Sequence, residues 1–116
     1  MRELSLSERL YNAAVQGQVH EMRSLFKEGA DVSIETKHGT TPLLAASIAG
    51  QLDAVVVLLD EMDANRDHTD VDGFNALHLA VLSCKTSVAR ALLNRGANAF
   101  CPETVLGMVM HETAGW

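Results

Sequence analysis

The chain has 116 residues, with 15 Asp and Glu against 9 Lys and Arg, which gives a formal net charge of −6. This length suits a single domain, and the negative charge disfavours nucleic acid as a partner because a phosphate backbone would be repelled. Apolar runs such as 54–59 are too short to cross a bilayer, and no apolar signal-peptide core follows Met1. We therefore expect an intracellular protein, cytoplasmic or nuclear, with no membrane partner.

The first predicted elements are two short helices. Ser5 and Glu8 have the spacing of a capping box, which predicts a helix from Leu6 to Gln16 that ends at Gly17. A second helix is expected from about Val19 to Glu28. Its buried side would carry Met22, Leu25 and Phe26.

A connecting arm, residues 32–40, leads to a second pair of helices. Thr41 can cap a helix whose first residue is Pro42, and Gly50 ends that helix. The helix that follows carries apolar residues on one side, namely Leu52, Val55, Leu58 and Leu59. Helices this short are marginal alone in water, so each needs neighbours.

A third pair of helices follows the turn sequence at 70–73, Asp-Val-Asp-Gly. We expect these helices at about 76–83 and 87–94. Beyond them, Pro102 to about Glu112 could form a last helix whose apolar residues cover the end of the third pair. Cys84 and Cys101 are predicted to be free thiols, as is usual inside cells.

The three pairs repeat one another. Identical residues recur at spacings of 33 and 34 residues, as in Leu10, Leu43 and Leu77, in Ala13, Ala46 and Ala80, and in Leu25, Leu58 and Leu92. With Thr-Pro-Leu at 41–43 and Ala-Leu-His-Leu-Ala at 76–80, the chain resembles the ankyrin-repeat family over about residues 4–100. The resemblance implies an all-α solenoid of stacked helix-turn-helix repeats with short hairpin-like arms.

The resemblance divides a single domain, residues 1–116, into repeats. Repeat 1 would span about 4–33 as an N-terminal cap, repeat 2 about 36–66 and repeat 3 about 70–100. Two alternatives remain for about 101–116, a capping helix or a partial repeat of a longer ankyrin-repeat protein.

Several positions depart from the family pattern. Leu44 replaces the His of T-P-L-H, Met62 occupies the Gly position after the second helix, and Cys84 replaces the Gly between helices. The arm after Met62 also carries one extra residue, so we expect this helix to end differently from its counterpart in repeat 1.

No catalytic or metal-binding motif is present. The sequence lacks G-x-S-x-G, Walker and G-x-G-x-x-G patterns, and its five His residues are scattered over the repeats. His78 matches the His of T-P-L-H and is predicted to be structural. We expect neither an enzyme nor a bound cofactor or metal.

The resemblance places a binding face on the concave side, lined by the arms and the first helices. The candidate residues are Val15, Ile48 and Leu82 at the ends of the first helices, Lys37, His38 and Thr40 on one arm, and Val71, Asp72, Phe74 and Asn75 on the next. This pattern predicts a monomeric, non-catalytic adaptor or inhibitor that binds a protein or peptide. The alternatives are that the aliphatic residues only fill the contact between repeats, or that the chain is a structural or self-associating module.

Acidic residues are concentrated between Asp53 and Asp72. This segment holds seven of the 15 carboxylates, with Arg66 as its single Arg or Lys. It could be an ordinary solvated surface, or it could attract a basic partner.

Overall fold

The computed structural model describes residues 4–97, and helices form all the regular secondary structure in that range. They are α1 (Leu6–Gln16), α2 (Val19–Lys27), α3 (Pro42–Ala49), α4 (Leu52–Asp60), α5 (Ala76–Leu82) and α6 (Thr86–Asn94). No β-strand occurs between residues 4 and 97, which confirms the all-α prediction. No helix within these bounds is long and apolar enough to span a membrane.

The helices stack in two rows. In the first row α3 packs between α1 and α5, and in the second α4 packs between α2 and α6. Each helix of the first row also contacts the helix that follows it in the chain. This is the arrangement of three stacked helix pairs that the spacing of 33 and 34 residues predicts.

Local side-chain caps explain where the first-row helices begin. The Ser5 hydroxyl accepts a hydrogen bond from the Glu8 amide at 3.1 Å, and the Glu8 carboxylate accepts one from the Ser5 amide at 3.3 Å. The Thr41 hydroxyl likewise accepts from the Leu44 amide at 3.3 Å. The predicted start at Ser5 is therefore confirmed, and so is the cap at Thr41.

The third pair uses a side-chain cap that involves His78. The Asn75 side chain accepts from the His78 amide at 2.9 Å, and His78 Nδ1 accepts from the Asn75 amide at 3.2 Å. Both residues are buried, at 3% and 4% exposure. The predicted structural role of His78 is confirmed because this side chain completes the capping box of α5.

The core lies between the two rows of helices. Its largest fully buried side chains include Leu10 and Leu43 in the first row, and Leu25, Leu58 and Leu92 in the second. These are the residues that recur along the sequence. Burying a leucine contributes about 1.5–3 kcal/mol, so stacking supplies the stability that a short helix lacks alone.

The end of α4 corrects one prediction. Met62 does not take the left-handed conformation of Gly29; Asp63 takes it, with φ at 53°. Met62 is instead the extra residue, and its side chain is buried at 3% exposure. The chain then rejoins the pattern, since the Ala64 amide reaches the Leu58 carbonyl six residues back, whereas Ala30 reaches Leu25 five residues back.

Cys84 lies between α5 and α6 with φ at 59°. Gly17 and Gly50 occupy the same place in the earlier pairs, with φ at 73° and 75°. The fold thus imposes a glycine-like conformation on a residue with a Cβ. The Cys84 thiol is free and exposed, while Cys101 and the predicted C-terminal helix lie outside the described residues.

Candidate functional site

Two arms connect the helix pairs, the first arm at residues 28–41 and the second arm at residues 61–75. Each has a hairpin-like tip: the Thr36 amide donates to the Thr40 carbonyl at 3.0 Å, and the Asp70 amide donates to the Phe74 carbonyl at 3.0 Å. The Thr36 hydroxyl and the Asp70 carboxylate also accept backbone hydrogen bonds inside their tips. Polar side chains therefore fix the shape of both tips.

The two arms lie directly against each other. The Val71 amide donates to the His38 carbonyl at 3.0 Å, and His68 Nε2 lies 3.0 Å from the Gly39 carbonyl oxygen. Gly39 has φ at 79°, and a Cβ there would lie only 3.2 Å from Asp70 Cα, so glycine suits both the backbone conformation and the close approach. The arm residues predicted from separate repeats consequently form one continuous surface.

The predicted aliphatic row, Val15, Ile48 and Leu82, lies at the ends of the first-row helices. Ile48 is 43% exposed, although most of α3 is buried, and Val15 and Leu82 are half-buried. The Val15 carbonyl accepts a hydrogen bond from Gln51 Nε2 at 3.1 Å, which ties α1 to the next pair. Of these three residues, Ile48 is therefore the most accessible to a partner.

The predicted arm residues differ in how far they are exposed to solvent. Val71 is 69% exposed, Lys37, His38 and Asp72 are exposed, and Thr40 is half-buried. Phe74 and Asn75 are buried at 7% and 3% exposure, and Asn75 caps α5. These two side chains shape the second arm rather than offering a contact surface in the free chain.

The acidic segment is partly neutralised by arginines from other repeats. Arg95 binds Asp60 through two hydrogen bonds of 2.9 Å, and Arg23 binds Glu61 through bonds of 3.0 and 2.7 Å. These hydrogen bonds lower the pKa of both carboxyl groups below their ordinary values. Asp60 and Glu61 therefore link the second-row helices to one another, a role that the sequence alone did not reveal.

Sequence reasoning also missed a cavity between α1 and the first arm. Tyr11 and Glu8 lie on its helix side, and Ile34 and Glu35 on its arm side. Burial raises the pKa of the Tyr11 hydroxyl. The sequence does carry one signal for this cavity. Tyr11 stands at the repeat position that Leu44 and His78 occupy in the later repeats.

Comparison with known proteins agrees with this architecture. A family model described as ankyrin repeats, in three copies, matches residues 10–101. The chain belongs to the ankyrin-repeat family. Ankyrin repeats are generally protein–protein interaction modules, and they are typically not enzymes. Within residues 4–97, no three His, Cys, Asp or Glu side chains gather closely enough to hold a metal ion.

The ankyrin-repeat chain is also similar to a much longer protein. It is 34% identical over 89 residues to inversin of Danio rerio, an alignment that covers 77% of this chain and 9% of inversin. The aligned part of the chain thus spans less than a tenth of that relative's length. This similarity supports the family assignment, but it does not identify the partner of this chain.

Proposed function

We propose that this chain is a non-catalytic adaptor or inhibitor that binds a protein or peptide on its concave face. That face comprises the aliphatic row and the exposed tips of the two arms. The observation that carries the proposal is the exposure of Ile48 and Val71, at 43% and 69%. Two large aliphatic side chains on a surface formed by successive repeats favour a partner of the same apolar character.

The expected affinity requires polar contacts as well. Burying three aliphatic side chains contributes roughly 5–9 kcal/mol, and association costs about 4–15 kcal/mol. The row alone would therefore bind weakly. Lys37, His38 and Asp72 on the arm tips would supply the additional hydrogen bonds and ion pairs, and the position of Asp72 favours a partner with a basic residue.

The proposal also includes a monomeric state, which follows from the charge of the chain, and a compartment, which follows from its cysteine. A net charge of −6 makes copies of the chain repel one another, which favours a monomer. The free, exposed thiol of Cys84 fits a reducing compartment, cytoplasmic or nuclear. Sedimentation at micromolar concentration tests the first point, since a self-associating module would sediment as a larger species.

Capture from cell extract tests the proposed face. Immobilised wild-type chain is compared with the variant carrying Val15→Ser, Ile48→Ser and Leu82→Ser, and bound proteins are quantified by mass spectrometry. The proposal expects a set of proteins that wild type captures and the variant loses, at equal folded fraction by circular dichroism. Identical capture by both chains would contradict it.

A further inference from the structure

The outer face of repeat 3 is the side of α5 and α6 that points away from α3 and α4. In the first row α3 packs on α1, and α5 packs on α3. No helix within residues 4–97 packs on the far side of α5 or α6. Equivalent positions of the three repeats therefore have different surroundings.

Exposure at equivalent positions identifies the residues of this outer face. Ala14 in α1 and Ser47 in α3 are both 0% exposed, but Val81, at the same position in α5, is 42% exposed. In the second row Val55 is 0% exposed, whereas its counterpart Ala89 in α6 is half-buried. Positions that are covered in the earlier repeats are thus accessible in repeat 3.

The turn between the two helices of each repeat shows the same difference. A Cβ on Gly17 would lie 2.6 Å from Oε1 of Gln51, and a Cβ on Gly50 would lie 2.8 Å from Cδ of Lys85. A side chain of the following repeat therefore lies directly over each of these glycines. Cys84 occupies the same position in repeat 3, and its thiol is free and exposed. A further layer would cover it.

A groove of about 290 Å³ follows these accessible residues. Val81, Cys84 and Ala89 line it, together with the fully buried Ala80. Its volume lies just below the range of about 300–1,000 Å³ that is typical of small-molecule sites, and its lining is mainly apolar. Aliphatic side chains of another protein segment therefore match the groove better than a polar ligand does.

The sequence that follows repeat 3 supplies side chains of this kind. Its apolar residues recur at the spacing of one helical face. They are Val105, Leu106, Val109 and Met110. These residues lie outside the described range, so their pattern is a property of the sequence alone.

Length also suits this segment to the outer face. Nine residues, 102–110, would span about 14 Å as a helix, which matches the nine residues of α6. Only residues 98–101 separate the segment from the described end of repeat 3. So short a connection makes the contact intramolecular and gives the segment a high effective concentration at the groove.

We propose that residues 102–110 of this chain cover the outer face of repeat 3, with their aliphatic side chains in the groove beside Val81. The inference is independent of the proposed function, because the concave face comprises the aliphatic row and the arm tips. It adds a contact between two parts of the same chain that closes the apolar end of the stack.

Nuclear Overhauser contacts between methyl groups test the proposal in the full chain. The chain is labelled at the methyl groups of Ala, Val, Leu and Met. We expect contacts from Val81 and Ala89 to Leu106 and Val109, and their absence would overturn the proposal. A second sample mixes two differently labelled chains. Contacts that arise only between the two labels would assign the outer face to a second copy and would equally overturn it.

Variants of the segment provide the matched comparison. Leu106→Ser with Val109→Ser removes two side chains of the apolar helical face, whereas Met108→Ser changes an apolar residue that lies off that face. We expect the methyl signals of Val81 and Ala89 to shift in the double variant and to stay in place in Met108→Ser. Shifts of equal size in both chains, or no shift in either, would refute the proposal.

Discussion

Cys84 adopts a backbone conformation that its counterparts Gly17 and Gly50 adopt without steric cost. A residue with a Cβ in the left-handed region is destabilised by about 1–2 kcal/mol. The conformation persists because α5 and α6 must turn at this point to pack as the earlier pairs do. The sequence departure at Cys84 is therefore a local defect that the stack tolerates.

We predict that Cys84→Gly stabilises the chain. Glycine removes the steric cost but adds conformational entropy to the unfolded chain, so the net gain in unfolding free energy is about 0.5–1 kcal/mol. The melting temperature should rise by about 2–6 °C. Cys84→Ala is the matched control, since it removes the thiol and keeps the Cβ; a rise of the same size in this variant would refute the backbone explanation.

Ile48 and Leu43 lie on the same helix. Substituting each of them in turn distinguishes a role in partner binding from a role in folding stability. Ile48 is 43% exposed and Leu43 is 1% exposed. We predict that Ile48→Ser lowers the unfolding free energy by less than about 1 kcal/mol, whereas Leu43→Ala lowers it by about 2–5 kcal/mol. Chemical denaturation measures both. A loss of several kcal/mol from Ile48→Ser would show that the aliphatic row is core between repeats.

The second-row helices are joined at their ends by the pairs of Arg23 with Glu61 and of Arg95 with Asp60. Each pair spans two successive repeats, so it links neighbouring layers of the stack. Arg23, Asp60 and Glu61 are exposed and Arg95 is half-buried, and such surface pairs contribute little individually. The pH dependence of the unfolding free energy is therefore the best measure of their combined effect.

We predict that acid weakens these links. The arginines lower the pKa of Asp60 and Glu61 in the folded chain, from ordinary values of 3.8 and 4.5. Their stabilisation is therefore fully present above about pH 5 and is lost as the pH falls through the lowered values. The unfolding free energy of wild type should fall more between about pH 5 and pH 3 than that of the variant with Arg23→Gln and Arg95→Gln. Parallel curves for the two chains would contradict the prediction.

The helices were largely predictable because their boundaries depend on neighbouring residues. The capping box at Ser5, the Thr41-Pro42 start and the turns at Gly17 and Gly50 are all local signals. The predicted α1 has the observed bounds, and α2, α5 and α6 each differ by one residue at one end. The end of α4 was harder to predict. Asp63 rather than Met62 takes the left-handed conformation there, and this depends on burying the methionine side chain.

The candidate site was predictable only in part, because much of it joins residues that are distant in sequence. The contact between His38 and Val71 depends on how the two arms stack. The cavity likewise joins Tyr11 to Glu35, and the paired Arg23 and Glu61 are 38 residues apart. A repeat pattern predicts that successive layers stack, but it does not predict which side chains meet.

At the scale of the whole fold, residues 4–97 form a stack whose neighbouring layers share one continuous surface. The first-row helices and the arm tips each recur once per repeat, so a partner lying across the repeats would contact equivalent positions in turn. One scaffold can therefore serve different partners through the side chains that it exposes. In the proposed function of this chain, those side chains are the aliphatic row and the exposed residues of the arm tips.

Site-specific photocrosslinking in cell extract measures most directly whether this face binds the partner. A photoreactive amino acid replaces Lys37 on the first arm in one chain and Lys27 at the end of α2 in another, since both lysines are exposed. We predict crosslinked species from position 37 that disappear when Ile48→Ser is added, and none of these species from position 27. The same crosslinks from position 27, or crosslinks from position 37 that survive Ile48→Ser, would contradict the account.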